Sequence, residues 1–175
     1  GKSRLAEEFA RRHYLRRPSN DVWFVSLQEA SSLGQVIATL AAELGVSFAS
    51  RQANNQPLVT LGHALEARGD CLIILDGVDE AVGPVTVCLQ TLLPMAPGPD
   101  WLVTNRRPLN LAPEFVIELQ PMTPDDAVVL LAERLRGDAT PPLALDDRHE
   151  ALFELVTGRN RSPLSLELIA GTAGL

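Results

Sequence analysis

The run Cys71-Leu72-Ile73-Ile74-Leu75-Asp76 constrains the fold of this chain more than any other stretch. Its apolar residues, rich in leucine and isoleucine and too few for a free-standing helix, spell a strand buried on both faces. Such strands belong to parallel sheets, and in open parallel sheets ligands gather at the carboxyl ends of the strands. The run ends on Asp76, with Gly77, Val78, Asp79 and Glu80 directly after it. An acid at the tip of a buried strand is placed to hold something cationic, most simply a magnesium ion carrying phosphates. Gly77 leaves no side chain to crowd that ion, and the turn aims Asp79 and Glu80 back at the same spot. A purely structural alternative is a buried strand followed by the acidic first turn of a helix, which the helix dipole alone favours.

The other informative stretch is Gly1-Lys2-Ser3, which opens the sequence and leads at once into a helical pattern. Leu5, Ala6, Phe9, Ala10 and His13 fall on one face. Glu7 with Arg11, and Glu8 with Arg12, form exposed pairs at spacing i,i+4 in the favourable order. Gly-Lys-Ser at a helix start matches the tail of the phosphate-binding loop G-x-x-x-x-G-K-[ST]. In that loop backbone N–H groups and the helix dipole cradle phosphate, the lysine reaches the β- and γ-phosphates, and the serine hydroxyl ligates magnesium. Joined to a buried strand ending in Asp-Gly-Val-Asp-Glu, the tripeptide supplies the second half of one magnesium–phosphate site, in the expected order. The chain starts without methionine, inside this motif, and reads as a piece of something longer.

Bulk properties exclude more than they assign. A length of 175 residues suits one α/β domain plus part of another, and a hydrophobic content of 46% can fill a core. The net charge of −7 argues against a broad nucleic-acid-binding face, so no direct contact with nucleic acid is expected. No apolar run approaches membrane-spanning length and no signal peptide is visible, so the expected setting is cytoplasmic, with no membrane partner. Cys71 and Cys88 lack metal spacing and read as reduced core residues. His13, His63 and His149 are scattered and are assigned neither to a metal nor to catalysis.

Taken in order, Asp21 to Leu27 is a strand by its β-branched and aromatic content. Ser32-Leu33-Gly34-Gln35 is a capping box that launches a helix with Leu33, Val36, Ile37, Leu40, Ala41 and Leu44 inward, and Gly45 is placed to stop it. A loop follows from Ser47 to Gln56. Pro57 suits the first position of a helix that runs to Gly69 with Leu58, Leu61 and Leu65 inward. After the acidic strand, Val85 to Leu93 is helical, and Pro94 to Pro99 forces the chain out of regular structure. Trp101 to Asn105 is the next strand, with polar Thr104, Asn105 and Arg106 at its end. Phe115 to Leu119 is a last short strand. Strands alternating with helices imply a parallel sheet with its strand ends on one edge.

The character changes at Pro121, beyond which the pattern is helical only. Thr123-Pro124-Asp125-Asp126 supplies an N-cap, a first-position proline and acids in the opening turn. Val128, Leu131 and Leu135 point inward, and Gly137 ends the helix. Pro141-Pro142 breaks the chain. Asp147 to Thr157 makes a second helix, with Leu152, Leu155 and Val156 apolar, closed by Gly158. Ser162-Pro163 begins a third, carrying Leu164, Leu168 and Ile169.

The order of these motifs resembles the STAND signalling NTPases, the P-loop group that includes the NACHT and NB-ARC families of immune receptors, apoptotic adaptors and bacterial regulators. The resemblance covers nearly the whole chain. Asp76-Gly77-Val78-Asp79-Glu80 looks like the NACHT form and the other motifs look more like NB-ARC, so the subfamily is left open. The implied fold is α/β, a three-layer α/β/α P-loop core over residues 1–120 whose first strand is missing because the chain starts within the phosphate loop. Residues 121–175 would be an ARC-like helical subdomain cut short at its end.

Carried over by position, the resemblance implies that Gly1, Lys2 and Ser3 bind phosphate, with Ser3 and Asp76 holding magnesium. Asp79 or Glu80, with Glu80 preferred, would orient or deprotonate the attacking water. Arg106 matches the arginine of the Thr-Ser-Arg sensor that reads the γ-phosphate, and Arg107 is an equally charged rival. Pro163 matches the proline of the Gly-Leu-Pro-Leu motif that packs on adenine, with Arg161-Ser162 standing where glycine and leucine are usual.

The implied cofactors are ATP or ADP with magnesium, and ATP over GTP rests on family analogy alone. The implied function is a slow ATPase used as a conformational switch, with appended effector and sensor or repeat domains as partners and self-assembly on activation. Two other classes compete with it: a turnover ATPase of the AAA+ kind, which needs an arginine finger from a neighbouring subunit, and a non-catalytic scaffold that has lost nucleotide.

Overall fold

A computed structural model describes residues 1–16, 21–48, 57–112, 114–136, 149–157 and 161–173. The chain divides into two compact units, one spanning Lys2–Val116 and the other Ile117–Leu175 together with Gly1. The change of character expected after residue 120 thus falls a few residues later than the observed division.

The first unit is α/β. Its sheet has three parallel strands in the order β1 (Asp21–Ser26), β2 (Cys71–Asp76), β3 (Asp100–Val103). The register sets Ser26 beside Asp76, so the tips of β1 and β2 are level. Every residue of β2 is buried, as its unbroken apolar run requires of a central strand covered on both faces. The alternation of side chains divides the strand between two cores. Cys71, Ile73 and Leu75 join α2 (Leu33–Glu43), α3 (Pro57–Arg68) and α4 (Val82–Met95), whereas Leu72 and Ile74 meet Ala6 of α1 (Lys2–Arg16). Helices on both faces of a parallel sheet are compatible with a three-layer α/β/α architecture.

The local signals act as expected where they are self-contained. Ser32 caps α2, the Ser32 hydroxyl accepting from the Gln35 N–H at 3.3 Å while Gln35 Oε1 accepts from the Ser32 N–H at 3.2 Å. Gly45 stops that helix with φ +65°. Pro57 opens α3 at its first position. Both cysteines are free and buried, and burial pushes the Cys88 thiol up to about 12.

Other expectations are corrected. The inward line of α1 is Ala6 with the half-buried Ala10, whose small side chains let the helix lie close to Leu72 and Ile74. Leu5 (53% exposed) and Phe9 fall on the flank. Arg11 turns to Glu8 at 2.9 Å, not to Glu7, and joins Arg12 at 2.6 Å on the same carboxylate. Hydrogen bonds from Arg11 and then Arg12 hold the Glu8 carboxyl down at about 2. The helix α4 starts earlier than Val85 and runs through Pro94, because Pro94 sits in its last turn and the Ala96 N–H still reaches the Leu92 carbonyl at 2.9 Å.

Phe115–Leu119 is not a strand. It is irregular and exposed, Phe115 by 87%. A strand needs a neighbour for its N–H and C=O groups. Among the described residues β3 pairs on one side only, with β2, and nothing pairs with this segment.

In the second unit α5 (Pro124–Arg136) packs on α6 (His149–Thr157) and α7 (Pro163–Ala173) around Ala127, Val128, Leu131, Val156, Leu166 and Ala170. Thr123 caps α5 by accepting from the Asp126 N–H at 3.2 Å, and Ser162 caps α7 by accepting from the Ser165 N–H at 3.2 Å. Leu135, expected inward, is exposed, as are Leu164 and Leu168 of α7, where Leu166 and Ala170 make the buried contacts. Gly137, Pro141, Pro142, Asp147 and Gly158, like residues 49–56 of the expected loop, lie outside the described residues. No helix among the described residues is long and apolar enough to cross a membrane.

The two kinds of apolar position should separate on unfolding in denaturant. Replacing the fully buried Ile73 by alanine is expected to lower stability by about 2–5 kcal/mol. Leu5→Ala, at a flank position, should change it by less than about 0.5 kcal/mol.

Candidate functional site at the carboxyl edge of the sheet

The tip of β2 is built around a buried acid. Asp76 is 3% exposed, and a carboxyl so placed is costly unless its oxygens find donors. Thr104, just beyond β3 and itself buried, provides one. Its hydroxyl accepts from the Gly77 N–H at 3.1 Å, so its own proton points at Asp76 Oδ1, 2.5 Å away. Asp76 Oδ2 accepts no hydrogen bond from a described residue.

Thr104 does more than satisfy one oxygen. Its N–H donates to the Leu75 carbonyl at 2.9 Å and its carbonyl accepts from the Val78 N–H at 3.3 Å. One residue therefore grips Leu75, Asp76, Gly77 and Val78 in succession. The neighbouring strand is tied in as well, the Leu27 N–H donating to the Asp76 carbonyl at 2.8 Å.

The chain can turn so sharply here because Gly77 has φ +72°. An added Cβ there would also meet Gln28 Cγ at 2.4 Å. This amends the expected reason for the glycine. The space its missing side chain clears belongs to Gln28 and to the left-handed turn.

The two acids beyond Gly77 part company. Val78–Glu80 forms a single 3-10 turn. Asp79 Oδ1 accepts from the Arg106 N–H at 2.9 Å, and Asp79 Oδ2 lies 3.6 Å from Arg106 Nε. Glu80 is exposed and makes no side-chain hydrogen bond or ion pair among the described residues. The Arg106 N–H also donates to its neighbour's Asn105 Oδ1 at 2.8 Å, and Asn105 Nδ2 is buried without a partner among the described residues. Arg107 is exposed.

The structure thus gathers Asp76, Asp79 and Arg106 of the expected site, with Glu80 adjacent. Lys2 is exposed and Ser3 half-buried at the start of α1, and neither side chain has a polar partner among the described residues. Gly1 is exposed. Only residues 17–20 separate the end of α1 from the start of β1, so the helix C-terminus lies toward the amino edge of the sheet. Pro163 belongs to the second unit, half-buried at the first position of α7. Thr104 is the residue whose role sequence reading missed. Its one visible signal was a polar side chain at the end of an apolar strand.

No group of three or more His, Cys, Asp or Glu side chains among the described residues forms a metal site by itself. Magnesium does not require one, since it keeps several waters and takes one or two protein oxygens plus phosphate. A buried aspartate with one oxygen open suits the single carboxylate contribution that pattern uses. No protein-family model matches the chain, and no curated protein is detectably similar to it.

The geometry at Gly77 separates two penalties. Gly77→Ala should destabilise the protein by roughly 1–2 kcal/mol for the left-handed backbone alone, with a further cost from Gln28. In a double-mutant cycle Gln28→Ala should recover the second part and leave the first.

Proposed function

We propose that this chain is the nucleotide-binding unit of a STAND-type signalling ATPase, binding ATP or ADP with magnesium and hydrolysing slowly as a conformational switch. The observation that carries the proposal is the arrangement at one strand tip: a buried Asp76 with one oxygen open, and, beyond the next strand, an arginine paired with Asp79, three residues after Asp76. The short connection between α1 and β1 supports it too. A helix of 15 residues spans about 22 Å, comparable to a six-residue strand, so running back along the sheet brings its start toward the edge that carries Asp76.

In this proposal Lys2 meets the β- and γ-phosphates, and Ser3 with Asp76 Oδ2 holds the metal. Bound magnesium neutralises phosphate charge and orients the polyphosphate. Glu80, the acid with no side-chain partner among the described residues, orients water or takes its proton. Asp79 is less suited to it, because its Oδ1 stays on the Arg106 backbone N–H even when the arginine side chain moves. The arginine exchanges its weak pair with Asp79 for the γ-phosphate when that group is present. A contact made only in the triphosphate state supplies the differential affinity a switch needs.

The test uses the full-length gene product. Freshly purified protein is expected to carry ATP or ADP that magnesium chelation releases, and to hydrolyse ATP far more slowly than a motor. Asp76→Ala should abolish magnesium-dependent retention. Glu80→Gln should keep nucleotide and lower turnover about a hundredfold or more. Nucleotide-free protein that binds none on titration would favour the scaffold, and fast steady hydrolysis the turnover ATPase.

A further inference from the structure

The grip of Thr104 on the acidic strand tip has a chemical consequence for the cation. A free aspartate can bind a divalent ion through one oxygen or through both. Calcium takes six to eight oxygens at flexible distances and accepts bidentate carboxylates, whereas magnesium demands octahedral geometry and uses single oxygens and water. At Asp76 one oxygen is already engaged: Thr104 Oγ1 donates to Oδ1 at 2.5 Å, which weakens and orients that oxygen as a metal ligand, and the Gly77 N–H at 3.1 Å fixes the direction of that donation. Both residues are buried, so water does not readily replace the hydroxyl.

Resting on the nucleotide-binding proposal above, we propose that Thr104 is a specificity-determining positioning residue that restricts Asp76 to one-oxygen coordination through Oδ2 and thereby selects magnesium over calcium. The backbone of Thr104 reinforces this, since its N–H and carbonyl grip Leu75 and Val78 and keep the hydroxyl in register with the carboxyl. A residue that merely stabilised the fold would have no reason to bias one divalent ion against another.

The experiment measures retention of a fluorescent ATP analogue by the full-length gene product, titrated with magnesium and separately with calcium. Thr104→Val keeps the size and removes the hydroxyl; Thr104→Ser keeps the hydroxyl. For wild type and Thr104→Ser a clear preference for magnesium is expected. In Thr104→Val the magnesium concentration for half retention should rise about ten- to a hundredfold, the usual effect of losing a partner that orients a metal ligand. Calcium should weaken less or improve, so the magnesium-to-calcium ratio collapses. If Thr104→Val does not fold, as judged by circular dichroism, Thr104→Cys takes its place as a near-isostere with a weak donor, and a partial collapse is expected.

An unchanged ratio in a folded Thr104→Val or Thr104→Cys protein overturns the inference, as does a Thr104→Ser protein that loses the preference. Asp76→Ala separates this from failure of the underlying reading. If wild type retains no nucleotide with either ion, or if Asp76→Ala leaves its magnesium dependence intact, the nucleotide site itself is refuted and the inference with it.

Discussion

The hydrogen bond from Thr104 to Asp76 is the constraint on which the carboxyl edge depends. A carboxyl 3% exposed at the end of an otherwise apolar strand is tolerable only with a donor in place, and the donor comes from the strand next door. Because Thr104 also uses its N–H, its carbonyl and its hydroxyl's acceptor capacity on the residues flanking Asp76, β3 cannot shift against β2 without disturbing all four bonds. The register of two strands and the orientation of one carboxylate are thereby one structural fact. Positioning of this sort fixes a carboxylate at the tips of two strands.

What could be read from sequence was whatever a short window determines. The buried strand, the Ser32–Gln35 box, the glycine stop at Gly45 and the opening prolines of α3, α5 and α7 are each settled by a few adjacent residues. Periodicity also located the helices, but it gives the direction of an apolar stripe and not its covered width. Leu5 and Phe9 in α1 border a stripe centred on Ala6 and Ala10, and in α7 the buried face runs through Leu166 and Ala170, away from Leu164 and Leu168. Phe115–Leu119 failed for another reason. Its composition is that of a strand, but strand character is completed by a partner, and composition carries no record of one.

The candidate site divides along the same line. Asp76 was legible because it interrupts an apolar run. Thr104 was not, because a threonine after a strand is commonplace and its importance lies in a contact 28 positions away. Asp79 and Glu80 look equivalent in sequence, as adjacent acids after one glycine. The 3-10 turn directs one of them at Arg106 and leaves the other to solvent. Spacing alone could not have told the two apart in this way.

The same clasp bears on how a switch could work at this edge. Arg106 is attached to Asp79 by two bonds of different kinds. The backbone N–H bond at 2.9 Å fixes the loop, while the side-chain pair at 3.6 Å involves an arginine side chain 80% exposed to solvent. Exposed pairs of that kind contribute only about 0–1 kcal/mol, so the side chain can leave while the backbone stays anchored. A phosphate offers a guanidinium higher charge and matched geometry, and would outcompete a solvated carboxylate for it. In the proposed switch, release of Asp79 is the local event that accompanies arrival of the γ-phosphate. Asp79 then has two roles in sequence: it holds the arginine close to the strand tip before nucleotide arrives, and it keeps the loop in place after the side chain has moved.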